Sequence, residues 1–172
     1  MIDMATAVRY SLLLLSALVL QRLLFMHLRI DGVAADALLV LAVAVGMVAG
    51  PRRGAVVGFV AGLLIDLTVT TPFGLSALSC LVAGSVAGSL ERLIVHSARS
   101  LAMLVGFLSA FIGLVFFVLV GSILGTAGLI DGHLPIIMIL VPASTAALVL
   151  PTRRLVRWAE IPSGRLDPAL HR

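Results

Sequence analysis

Gly58-Phe59-Val60-Ala61-Gly62-Leu63-Leu64-Ile65-Asp66-Leu67, continued by Thr68-Val69-Thr70-Thr71-Pro72-Phe73-Gly74-Leu75-Ser76, is the stretch on which the fold turns. It begins as an apolar helix with glycine at every fourth position. It carries one carboxyl group, then breaks at a proline and resumes as a second apolar helix. Residues four apart share a helix face. Upstream, Gly50 and Gly54 fall in the same register as Gly58 and Gly62, and Asp66 and Thr70 continue it. The ridge formed by Gly54, Gly58, Gly62 and Asp66 therefore lets a neighbouring helix approach closely, and it points the carboxyl group into the same contact.

The surrounding composition says what that contact is immersed in. Of 172 residues, 61% are hydrophobic and 12% are charged, about half the charged share of a soluble domain. Mean hydropathy is +1.22. These values predict an all-α integral membrane protein. Apolar segments run over roughly 8–27, 34–49, 54–70, 73–90, 101–124 and 134–150. They predict one six-helix transmembrane domain over residues 1–158, followed by a short cytoplasmic tail, 159–172, read as disordered from Pro162, Gly164 and Pro168. A span needs about 20 apolar residues, so the second and third segments are short. The first segment is too long for a signal peptide and has no small-residue cleavage site, which marks it as a retained helix.

All twelve basic residues are arginine. Without lysine, Schiff-base chemistry and the Walker A phosphate loop are excluded. With the N-terminus in the cytoplasm, Arg9, Arg52, Arg53, Arg92, Arg99, Arg153, Arg154, Arg157, Arg165 and Arg172 all fall on the inner side; the outer loops hold only Arg29. This asymmetry predicts an even number of spans and two cytoplasmic termini. Tyr10 and Trp158 both fall at the inner water–lipid boundary. Arg153, Arg154 and Arg157 form a juxtamembrane cluster suited to anionic lipid, or to anchoring the topology. The high isoelectric point therefore points to membrane lipids and not to nucleic acid.

Asp66 needs a reason to exist in an apolar helix, because an ionised carboxylate in lipid costs about 2.5–3.5 kcal/mol even on the permissive insertion scale. Two readings account for it. In one, Arg22 pairs with it: each lies about five residues from the outer end of its segment, roughly 7–8 Å below the surface at about 1.5 Å per residue. In the other, Arg22 reaches outward and Asp66 caps the threonine-rich turn. Thr71-Pro72 reads as an N-cap followed by proline in the first helical turn, and Gly74 as a point where two backbones cross. Further small-residue ridges occur at Ala42/Gly46/Gly50, Cys80/Gly84/Gly88 and Gly113/Gly121/Gly125. Cys80 reads as a packing residue. Pro142 lies in mid-helix, where a kink is expected and neighbouring helices or Ser144 and Thr145 would satisfy the carbonyl it frees. Ser76, His27 and His133 fall near the outer face, but the Gly74-Leu75-Ser76-Ala77 run lacks the second glycine expected of an intramembrane serine protease. His96 sits in a basic loop. No catalytic, metal-ligating or cofactor-binding set is expected.

The run Gly58-x-x-x-Gly62-Leu63-Leu64-Ile65-Asp66-Leu67 followed by Pro72-Phe73-Gly74-Leu75-Ser76-Ala77-Leu78 resembles the signature of the rod shape-determining MreD family. The close likeness covers about twenty residues; the rest agrees in topology. The resemblance implies a non-enzymatic scaffold of the bacterial elongation machinery. Its implied partners are the single-span scaffold MreC, the MreB filament, and the glycosyltransferase and transpeptidase of lateral peptidoglycan synthesis. It also implies a fold similar to the six-helix substrate-binding subunits of energy-coupling-factor transporters. A vitamin-type transporter subunit is accordingly the rival reading. Such a subunit calls for an aromatic-lined outer pocket, whereas the one Trp and one Tyr here lie on the inner side.

Overall fold

The computed structural model describes residues 4–27, 36–67, 74–93, 99–125 and 134–160, except the side chains of 4, 5, 7, 22–27, 134 and 135. The described residues form six helices and no strand: α1 (Met4–His27), α2 (Ala37–Ala49), α3 (Pro51–Asp66), α4 (Leu75–Leu93), α5 (Arg99–Ile123) and α6 (Leu134–Ala159). The order matches the six apolar segments, with shifted ends. Helix α3 begins at Pro51, because proline suits the first turn, where its missing N–H costs nothing. It closes at Asp66, with Leu67 as its C-cap; residues 68–70, where the expected segment ended, lie outside the described residues. Helix α4 as described begins at Leu75; residue 73, the expected start, lies outside the described residues. The largest correction is in α6: it runs through Pro142 and Pro151 to Ala159 and does not stop at 150.

Among the described residues, two helices are long and apolar enough to cross a membrane, Arg99–Ile123 and Ile136–Ala159. The others fall short for identifiable reasons. Helix α2 has 13 residues, about 20 Å at 1.5 Å per residue. Helix α3 carries Arg52, Arg53 and Asp66, and α4 is diluted by serine and glycine.

The core is built around α2. Every residue from Leu38 to Met47 is buried, as an apolar helix without a polar stripe requires. Helices α3, α4, α5 and α6 all contact it, α1 lies against it, and Tyr10 and Leu14 of α1 join the buried core. The large apolar side chains that remain exposed point outward along whole helices: Leu12, Leu15 and Val19 on α1, Leu104, Leu108 and Leu119 on α5, Ile139 and Leu148 on α6.

The tightest pair is α3 with α4, an antiparallel hairpin meshed by the glycine ridge. A Cβ on Gly62 would strike the backbone of Ser76 and Ala77, one on Gly58 that of Cys80, and one on Gly54 that of Gly84. Each four-residue step on α3 is thus met by a four-residue step on α4. Gly46 of α2 enters the same contact, facing Gly84 and Gly88. The ridge, read from sequence as pairwise, is a three-helix junction at its Gly54 end. Cys80, opposite Gly58, is buried, as a packing residue should be. Gly113 of α5 meets Ala83 and Ser79 on the far side of α4, and Ser79 Oγ donates to the Gly113 carbonyl at 2.7 Å.

In α6, Ser144 and Thr145 do not reach the carbonyl freed by Pro142. Both hydroxyls donate to Val141 O, at 2.8 and 2.9 Å. Each bonds back within its own turn, three or four residues upstream, as Ser and Thr in helices commonly do.

Candidate functional site

Polar groups gather at the two ends of the bundle. At the end where α3 turns into α4, Asp66 is buried, with 5% of its surface exposed. Its side chain accepts three backbone N–H bonds: Gly74 N at 2.8 Å and Ala77 N at 3.3 Å to Oδ2, and Ser76 N at 3.2 Å to Oδ1. These are the donors that the first turn of α4 leaves without intrahelical acceptors. Gly74 holds the cap position: its carbonyl accepts the first helical bond, from Leu78 N at 3.0 Å. Glycine has no side chain with which to cap, so the last residue of the preceding helix supplies the acceptor. The partial positive charge of a helix N-terminus favours an anion at that place.

Asp66 therefore caps the start of α4, the helix after the turn. The side chain of Arg22, the proposed intramembrane partner, lies outside the described residues. So do Thr71 and Pro72; α4 as described begins at Leu75, directly after Gly74. Gly74 itself is needed for its backbone and not for close approach. Its φ is +97°, and a Cβ there would meet nothing within 4 Å. Ser76 is buried beneath the Asp66 cap. Asp36 performs a similar service for α2, accepting from Leu38 N and Leu39 N at 3.1 and 3.2 Å.

The other end collects the arginines. Arg53 Nη1 lies 2.5 Å from Glu160 Oε2, and the Tyr10 hydroxyl donates to Glu160 Oε1. Arg9 donates to Ala159 O, and its guanidinium lies over the Trp158 ring at 5.5 Å from the centroid. Arg153 Nη2 lies 2.6 Å from Glu91 Oε1. Residues from the starts of α1 and α3 and the ends of α4 and α6 therefore meet here. The extension of α6 past Pro151 makes this possible by carrying Arg153, Trp158 and Glu160 back against the bundle.

Two sequence expectations change at this end. Tyr10, expected as an interfacial ring, is buried and bonded to Glu160. The cluster Arg153, Arg154 and Arg157 divides: Arg153 turns inward to Glu91 with 14% of its side chain exposed, while Arg154 and Arg157 face out. Sequence reading singled out neither Glu91 nor Glu160. A signal was present, because these are the only two glutamates in the chain and each lies within a few residues of an arginine. The described residues hold no group of three or more His, Cys, Asp or Glu side chains placed for a metal.

No protein-family model matches the chain, and searches of curated proteins and of solved structures return no similar protein.

Proposed function

We propose that the chain is a non-enzymatic scaffold of the bacterial elongation machinery, spanning the inner membrane six times with both termini in the cytoplasm. It would bind an MreC-like single-span protein and so help control lateral peptidoglycan synthesis and rod shape. The observation that carries the reading is the hairpin. Gly58, Gly62, Asp66, Gly74, Ser76 and Ala77, the residues that resemble the MreD signature, act in one structural unit: the glycines let α4 approach, and Asp66 caps it. A motif whose members share one physical task is more specific than scattered glycines in an apolar chain.

The membrane placement is supported by the outward apolar faces of α1, α5 and α6, since contiguous exposed apolar surface marks a face that lipid or a partner covers. It is supported too by Arg9, Arg53, Arg92 and Arg153 lying at one end of the bundle, as the positive-inside rule requires. Helices α2, α3 and α4, short or polar by themselves, would cross within the shelter of their neighbours.

The test is co-expression of the tagged chain with an MreC-type scaffold, detergent extraction and affinity capture. Recovery of the scaffold in a defined ratio is expected. Failure of capture, together with a small molecule co-purifying in stoichiometric amount, would overturn the scaffold reading in favour of a transporter subunit.

A further inference from the structure

Between the end of α2 and the end of α4 lies a cavity of about 250 Å³, walled by residues 47–50, Gly88, Glu91 and Arg92. One wall is apolar, made by Met47, Val48 and Ala49. The other carries charge. The Glu91 carboxyl group, which would repel an anion, is engaged by Arg153 at 2.6 Å. Among the described residues Arg92 has no ion-pair partner, so its guanidinium is the free charge of the cavity. Gly50 makes room for it: a Cβ there would come 2.9 Å from Arg92 Nη2, and the φ of +91° disfavours any other residue.

A guanidinium beside an apolar wall matches an amphipathic anion. Guanidinium forks pair two parallel N–H donors with phosphate oxygens, while methylene groups suit the side formed by Met47, Val48 and Ala49. The cavity also opens at the arginine-rich end of the bundle, the level at which anionic lipid headgroups lie if that end faces the cytoplasmic leaflet. We propose that this cavity binds a phosphate group, and that the phosphate belongs to an anionic phospholipid whose glycerol and first methylenes rest on Met47 and Val48. The inference rests on the membrane placement argued above. That placement is checked separately, by whether the chain leaves membranes only with detergent.

The test uses the full chain in zwitterionic detergent, titrated with dioctanoyl phosphatidylglycerol, dioctanoyl phosphatidylcholine or inorganic phosphate. Thermal unfolding and native mass spectrometry are the readouts. Phosphatidylglycerol is expected to raise the unfolding temperature and to remain bound at one per chain. Arg92→Gln should weaken that binding by at least about tenfold, the loss expected when charge-assisted bonds to phosphate are removed. The paired control Arg154→Gln/Arg157→Gln should leave it unchanged. Val48→Trp fills the cavity while keeping the Arg92 charge and should also abolish retention, which keeps the test decisive if Arg92→Gln fails to fold. Wild-type binding in Arg92→Gln or Val48→Trp would overturn the site. An equal effect from phosphatidylcholine or from inorganic phosphate would overturn the anionic-lipid assignment.

Discussion

Asp66 shows how one side chain settles a local fold. Its carboxyl group takes over three N–H donors at the start of α4, in a place where the helix offers no capping side chain of its own. Asp66→Ala leaves those donors without an acceptor in a buried site, at a cost of about 1–3 kcal/mol. Asp66→Asn keeps one carbonyl acceptor and should lose less. Chemical or thermal unfolding in detergent, compared across the two variants, checks the order. If Asn were as damaging as Ala, the negative charge rather than the hydrogen-bond geometry would be decisive, and a charge partner would have to exist. The presence of a carboxyl group at this depth was legible in the sequence. Its partners were not, because they are backbone donors eight to eleven residues away and no side-chain pattern announces them.

The element that depends most on small residues is the α3–α4 hairpin. At Gly58 the atoms that a new Cβ would meet are the backbone of Cys80 and Leu81. A backbone neighbour cannot rotate away as the end of a flexible side chain can. Gly58→Leu is therefore expected to destabilise the bundle by at least the upper end of the roughly 1–3 kcal/mol seen for overpacking. Gly74→Ala meets no neighbour, but it must adopt a φ of +97°, at a strain of about 1 kcal/mol or more. Ranking the two by unfolding midpoint checks the argument; a larger loss at Gly74 than at Gly58 would contradict it. The four-residue spacing announced the α3 ridge and its packing use. It did not announce that α2 enters the same junction through Gly46, since spacing along one helix says nothing of how many helices converge on it. The end of α6 was misplaced for a related reason. Pro151 reads as a stop when its own missing N–H is the main consideration. In the folded chain, burial of Val156 and Ala159 and the contacts of Arg153 and Glu160 hold the helix beyond it.

At the scale of the whole molecule, the arginines predict the orientation. Accessibility of single cysteines introduced at 31 and 131 should be restricted to the outer side, and at 96 and 165 to the inner side, in a Cys80→Ser background. Labelling of 31 and 96 from the same side would eliminate the six-span arrangement. Hydropathy alone does not decide the point, because α2 is only 13 residues long, α3 carries two arginines and an aspartate, and α4 is diluted by serine and glycine. The chain by itself determined its helical, membrane-suited composition, the order of its six helices, the glycine register of α3 and the concentration of arginine near particular helix ends. Those are properties of local periodicity and content. The tertiary structure decided that α2 lies at the centre, that Asp66 is a cap, that Tyr10 and Glu160 close the arginine-rich end, and that Arg92 stands free beside a cavity. Each of these is a contact between segments far apart in the chain, fixed by which surfaces meet when the helices pack and by no pattern within any one of them.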